Sequence, residues 1–208
     1  VREGCATFFS LDTFQPKPSN DLKTISITQV MKDMSYSKNI APEWHDAVVP
    51  IKMLLEENDD LRESIEKLGH VVQISRLHLQ NGQTIIVANT HLFYHPIADH
   101  IRVMQCFAIA HELSKEIAGD GFPFILCGDF NTDIDDCAAI LVDRHTPQNF
   151  RDVQQCLNTF QWKADQGDDN AKEKDLLNFP ELTLPESFPV VTSVYQDHPD
   201  FTHYVKEY

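Results

Sequence analysis

Long hydrophobic runs are missing from this 208-residue chain, and no apolar stretch approaches the roughly 18 residues that suggest a membrane span. Paired cysteines are missing as well. Cys5, Cys106, Cys127, Cys137 and Cys156 are odd in number, far apart and form no Cys-x-x-Cys pair. That pattern argues against a disulfide framework or a zinc site and leads us to expect a reducing, intracellular compartment. Positive charge is scarce: Lys and Arg number 17 against 32 Asp and Glu, for a formal charge of -15. Such a chain does not offer the basic surface that broad binding to a nucleic-acid backbone requires, double-stranded nucleic acid included. A phosphodiester substrate stays open, because a divalent cation held by a few carboxylates supplies positive charge locally. Any nucleic acid bound here is expected to be short, or gripped at one end. No internal repeat is visible.

What is present suits one substantial domain with its own core, since 42% of the residues are apolar and 13 of them are Phe. The chain starts at Val1 inside an organised pattern rather than with methionine, and stops at Tyr208 just after another motif. It therefore reads as a fragment of a longer protein.

Along the chain, Val1 to Phe9 is β-prone and suggests a buried strand entered through Gly4. Asp12 to Asp21, with Pro16, Pro18, Ser19 and Asn20, reads as a loop, and Leu22 to Val30 as a second strand. From Trp44 to Leu68 the spacing is helical, interrupted by the acidic run Glu56 to Asp60, which suits a solvated helix end. Val71 to Leu79 and Thr84 to Asn89 flank Asn81-Gly82, so a hairpin with a type I′ turn is predicted. Asp99 to Ile117 carries the strongest helical stripe, with Asp99 as a candidate cap and Gly119 as a candidate stop. A strand over Phe122 to Leu126 completes a crossover unit. Short helices are expected over Ala138 to Val142 and Phe150 to Phe160, and a long irregular insertion over Lys163 to Lys174 and the prolines that follow.

Two polar signatures end two of these apolar runs. Ala88-Asn89-Thr90-His91-Leu92 follows Ile85-Ile86-Val87, and Cys127-Gly128-Asp129-Phe130-Asn131 follows Phe124-Ile125-Leu126. A strand ending in Gly-Asp-x-Asn is common as plain turn chemistry, in which Asp and Asn bond nearby backbone N–H groups. Residues i and i+2 at a strand end also share a side, so Asp129 and Asn131 are expected to project together, with Phe130 turned to the core. A carboxylate beside an amide oxygen suits a hard cation such as Mg²⁺. With one helix between the two strands, His91 and Asp129 can meet at the same sheet edge, where an imidazole can donate to a phosphoryl oxygen as charge builds.

These two signatures resemble those of the exonuclease–endonuclease–phosphatase superfamily, which includes deoxyribonuclease I. Arg2-Glu3-Gly4-Cys5-Ala6-Thr7-Phe8-Phe9 and Phe201-Thr202-His203-Tyr204 resemble motifs of its deadenylase branch. Within that branch, Arg2-Glu3-Gly4, Asn89-Thr90-His91-Leu92-Phe93-Tyr94-His95-Pro96 and the following Ile101-Arg102-Val103-Met104-Gln105 look most like the 2′,5′-phosphodiesterases. The similarity is dense from Val71 to Asp133 and at both ends, and poor over 12–68 and 143–199. The resemblance implies a four-layer α/β sandwich of two mixed sheets packed face to face with helices outside, residues 1–208 forming part of the catalytic domain.

It further implies a Mg²⁺-dependent phosphodiesterase that releases 5′-AMP from 2′,5′-oligoadenylate and from the 3′ end of poly(A) RNA. A mitochondrial matrix location is implied as well. By resemblance, Asp129 is the acid/base beside the metal, Asn131 contacts metal or phosphate, and His91 stabilises the scissile phosphate. Pro96 matches a position that packs against an adenine, with a simple loop proline a close second reading. His203 stands where the branch has Asn in a substrate-contacting motif. The family's metal-binding glutamate falls before Val1 and its late catalytic histidine after Tyr208, so the piece alone is expected to be inactive. A 3′,5′ poly(A) deadenylase, a nucleotide phosphatase of the same superfamily and a non-catalytic binding product are the alternatives.

Overall fold

The computed structural model describes residues 4–15, 21–36, 38, 40–95, 98–119, 121–132, 137–146 and 180–194. Strand β1 (Leu22–Ser26) runs straight into helix α1 (Ile27–Ser35). After a 3₁₀ turn at Pro42–Trp44 come α2 (His45–Glu57) and α3 (Asp59–Glu66). The hairpin β2 (Val71–His78) and β3 (Thr84–His91), helix α4 (Asp99–Ile117), strand β4 (Phe124–Asp129) and a short α5 (Ala139–Asp143) follow.

The four strands form one sheet in the order β1-β2-β3-β4. β1/β2 and β2/β3 are antiparallel, and β3/β4 is parallel, joined through α4 as the crossover pattern requires. The register places Ile25, Val72, Ile74, Ile86, Ala88, Thr90, Phe124 and Leu126 on one face. That face packs into a core shared with α1, α2 and α4, where Met31, Met34, Ile51, Ile101, Phe107 and Leu113 are buried. The opposite face carries Leu22, Ile85, Val87 and Ile125, with Leu22 and Ile125 about half exposed. One sheet of the expected sandwich, with helices on one side, is thus formed among the described residues. None of their helices is long and apolar enough to cross a membrane.

Several local expectations are corrected. The strand expected over Leu22 to Val30 ends at Ser26, whose hydroxyl accepts the Gln29 N–H at 3.2 Å and caps α1. Ile27, Val30, Met31 and Met34 are the buried face of that helix, at helical spacing. The β-prone segment from Gly4 to Phe9 pairs with no strand. It reaches the sheet through side chains instead, Thr7 donating to Gln73 Oε1 at 2.9 Å and Asn89 Nδ2 donating to the Ala6 carbonyl at 3.1 Å. Phe8 stands in solvent.

The hairpin loop is not type I′, because Asn81 keeps a negative φ and only Gly82, at φ 88°, is left-handed. Gly82 N–H bonds the Leu79 carbonyl and Leu79 N–H the Gln83 carbonyl, which is a three-residue loop closed by a glycine bulge. Asp99 is the first helical residue of α4 rather than its cap, the cap position falling to Ala98. The acidic run behaves as expected: Asn58 separates α2 from α3 and its side chain accepts the Leu61 N–H at 2.9 Å.

Residues 180–194, read from their prolines as part of an irregular insertion, are irregular but anchored. Leu182, Leu184 and Phe188 are buried, and Phe188 packs edge-on against Trp44 at 6.3 Å. The candidate helix at Phe150 to Phe160 and the polar stretch from Lys163 to Lys174 lie outside the described residues.

Candidate active site

The site is built where two parallel strands stop. The β3/β4 register runs from Ile86↔Phe124 to His91↔Asp129, so the last residue of each strand is paired with the last residue of the other. At the carboxyl end of parallel strands the ladder runs out and side chains reach solvent, the usual place for a ligand in open α/β sheets. His91 Nε2 lies 3.8 Å from Asp129 Oδ2, with the side chains 37% and 65% exposed. That is too long for a direct hydrogen bond, and close enough for both groups to address one phosphoryl group. Between groups this exposed the mutual attraction is screened and contributes little to stability.

The strands come this close because of Gly128. Its φ is 136°, and a Cβ there would stand 1.9 Å from the Thr90 carbonyl oxygen. Thr90 faces the core side, its hydroxyl bonded to the Val71 carbonyl at 3.0 Å. Beyond Asp129 the strand alternation used to place Asn131 no longer applies. Asn131 is left-handed at φ 51°, and its N–H is accepted by Asp129 Oδ1 at 3.0 Å. Its Nδ2 donates to the Leu92 carbonyl at 2.8 Å, tying the end of β4 to the chain leaving β3. The Asx turn is what holds Asn131 beside Asp129. Phe130 is half-buried against the core, as expected of an anchor.

Of the residues singled out in the sequence, the structure brings together His91, Asp129 and Asn131, while Pro96 and His203 lie outside the described residues. The donor set fits a magnesium-type ion held openly rather than a closed metal cage. It offers one exposed carboxylate and one amide, and among the described residues no three His, Cys, Asp or Glu side chains are grouped to hold a metal. Mg²⁺ characteristically takes one or two carboxylates and completes its shell with water and substrate phosphate. The nearby thiols do not compete. Desolvation pushes the Cys5 thiol up, partly offset by a backbone bond from His91, and desolvation together with Cys5 pushes Cys127 up, so both stay protonated at neutral pH.

Sequence reasoning gave no role to Arg102 and Gln105 of α4, which are buried beneath the chain that leaves His91. A helical stripe marks only one face of α4 as buried, whereas both of these polar side chains turn inward as well.

No protein-family model matches the chain. Over 135 residues it is 31% identical to 2′,5′-phosphodiesterase 12 of Mus musculus, a match covering 62% of this chain and 20% of that protein. Over 127 residues it is 24% identical to the CCR4-Not complex 3′-5′-exoribonuclease subunit Ccr4 of Yarrowia lipolytica, covering 47% and 18%. The solved structure of ANGEL2, a 2′,3′-cyclic phosphatase, superimposes with a TM-score of 0.50 over 90% of this chain and 48% of that one. At 16% identity that likeness speaks for the fold. The chain has the exonuclease–endonuclease–phosphatase fold. In sequence it resembles the 2′,5′-phosphodiesterases of that superfamily. The match spans about a fifth of the length of these curated relatives.

Proposed function

We propose that this chain carries the phosphate-handling edge of a divalent-metal-dependent phosphodiesterase that releases 5′-AMP from the 2′,5′-linked or 3′ end of an oligoadenylate. The observation that carries the reading is the in-register pairing of His91 with Asp129 at the ends of two parallel strands, 3.8 Å apart. The name of the mouse relative supports the 2′,5′ linkage.

In this reading Asp129 orients a water and accepts its proton through Oδ2 as the oxygen attacks phosphorus. The bond from phosphorus to the 2′ or 3′ oxygen of the preceding nucleotide breaks, and the leaving oxygen takes its proton from solvent water. His91 Nε2 donates to a non-bridging phosphoryl oxygen, where charge accumulates. Asn131, its amide oriented by the Leu92 carbonyl, contacts phosphate or metal. Asp129 and Asn131 would hold Mg²⁺, which when bound neutralises phosphate charge. That neutralisation matters in a chain whose formal charge is -15.

The test is 5′-AMP release from 2′,5′- and 3′,5′-linked triadenylate by the full-length protein, with Mg²⁺ or with EDTA, beside its Asp129→Ala variant. Release is expected with Mg²⁺ only, faster on the 2′,5′ linkage, and lowered in the variant by about 10³-fold or more, since such groups act as a unit. Wild-type turnover by Asp129→Ala would overturn the assignment. Faster release from the 3′,5′ linkage would move the reading to a deadenylase, in line with the name of the Yarrowia relative.

A further inference from the structure

Helix α4 spends two buried polar side chains on the chain that leaves His91. Arg102 is 3% exposed, and its Nη1 donates to the carbonyls of Phe93 at 3.1 Å and His95 at 2.6 Å, while Nη2 donates to Asp99 Oδ1. Gln105, fully buried, accepts the Phe93 N–H through Oε1 at 3.0 Å. Both backbone groups of Phe93 are thus bound by one helix. Both backbone groups of Leu92 are bound from the end of β4 and the turn after it, its N–H by the Asp129 carbonyl at 2.9 Å and its carbonyl by Asn131 Nδ2 at 2.8 Å. Leu92 and Phe93 belong to no strand or helix, yet every main-chain polar group of this pair, which directly follows His91, has a fixed partner.

The same ion pair also reaches the other site loop. Cys137 Sγ donates to Asp99 Oδ1 at 3.5 Å, and the Cys137 N–H is accepted by Thr132 Oγ1 at 3.2 Å, next to Asn131. Burial pushes the Cys137 thiol up to about 12, so it keeps the proton it donates.

Packing α4 against a sheet does not call for a buried guanidinium, because an apolar side chain of similar volume does that at no desolvation cost. The guanidinium divides its donors between two nitrogens, Nη1 for the two carbonyls and Nη2 for the carboxylate, a spread that the single nitrogen of a lysine does not offer. We infer that Arg102 and Gln105 are positioning residues, a clamp that holds residues 92–95 so that His91 is presented in register with Asp129. The inference rests on the catalytic reading of His91 and Asp129 given above. A site of this kind must be held to within about 0.5 Å to work well, which side-chain packing of an irregular loop alone does not provide.

The test uses the full-length protein and the variants Arg102→Met, Arg102→Lys, Gln105→Leu and Gln105→Glu. Three quantities are read: amide hydrogen exchange at 92–95, exchange in β2 as the control for folding, and kcat and KM for 5′-AMP release from 2′,5′-triadenylate. Arg102→Met and Gln105→Leu are expected to speed exchange at 92–95 about tenfold or more while β2 changes less than about twofold. In the same variants kcat should fall about 10–100-fold with KM within about threefold. Gln105→Glu keeps the acceptor for Phe93 N–H and should recover most of both losses. Arg102→Lys keeps the charge but not the fork, and should recover little.

Unchanged exchange at 92–95 overturns the clamp whatever the rates do. Faster exchange with unchanged kcat overturns its role in positioning His91. If Arg102→Met fails to fold, the Gln105 pair decides the question by the same readouts. A wild-type protein inert on both linkages defeats the functional reading, and with it the role in positioning for catalysis, while the exchange data still decide whether the clamp exists.

Discussion

Gly128 bears a constraint that no other residue type satisfies. Its φ of 136° is barred to side chains, and a methyl group there would lie 1.9 Å from the Thr90 carbonyl oxygen, a backbone atom that cannot step aside. Gly128→Ala is therefore expected to destabilise by at least about 2–3 kcal/mol and to pull His91 and Asp129 out of register. Thermal melting beside the wild type checks this, and an unchanged midpoint would show that the strand ends tolerate separation. The polar pair at this edge was legible in the sequence because each member closes an apolar run, where a polar side chain has no core to enter. Asn131 was legible as a partner of Asp129, but for a different reason: an Asx turn places it, not strand alternation. Arg102 and Gln105 were not legible in function, because what they bind is main chain, and main-chain carbonyls leave no mark in a sequence.

At the scale of elements, Glu116 in the last turn of α4 is 8% exposed and faces cations from two strands. Lys23 Nζ of β1 lies 2.5 Å from Oε1, and Arg76 Nη2 of β2 lies 3.1 Å from Oε2. A carboxylate at the carboxyl end of a helix opposes the helix dipole, and the two cations offset that while pinning α4 across the sheet. Glu116→Ala is expected to lower stability by roughly 1–3 kcal/mol, less than for a fully buried pair because Lys23 and Arg76 reach solvent. Urea denaturation should show a lower midpoint at unchanged slope, and equal midpoints would mean that α4 is held by its apolar contacts alone. Element types were readable wherever the apolar period was long, as in α4 and the hairpin strands. Strand and helix are confused where one element meets the next without a break: Ser26 ends β1 and caps α1 in a single residue, so a strand expected to run to Val30 takes in the first four residues of α1, Ile27 to Val30. The β-prone character of Gly4 to Phe9 likewise names a preference and not a partner, and no strand edge receives it.

At the scale of the whole molecule, burial is more complete than local patterns foretell, because residues 180–194 return to the core with Leu182, Leu184 and Phe188, the last against Trp44 and Phe124. The prolines in that segment signal irregular backbone correctly, yet irregular backbone can still carry core side chains. Closure of the core also encloses His100, whose burial, aided by Arg102 and His95, lowers its pKa to about 3. The folded chain keeps this imidazole neutral, whereas the unfolded chain protonates it below about 6.5. Between those values the unfolded state binds more protons, so stability is fully present above about pH 6.5 and is lost as pH falls toward 3. The slope from this group is about 1.4 kcal/mol per pH unit, which makes about 2 kcal/mol by pH 5. Denaturation at pH 7 and pH 5 should show that loss, and His100→Gln should remove most of it. The relief of like-charge repulsion as a chain of formal charge -15 nears its isoelectric point acts in the opposite direction, and the variant separates the two.

The parallel pairing of β3 with β4 has a kinetic consequence. β2 and β3 are joined by a tight hairpin connection and can close within roughly 1–10 μs. In the chain, β4 is separated from β3 by the whole of α4. Contacts across so long a connection are expected to form late, with little structure in the folding transition state. His91 and Asp129 are partners of this late kind. Anything that binds them together will slow the departure from the native state while leaving the rate of arrival unchanged.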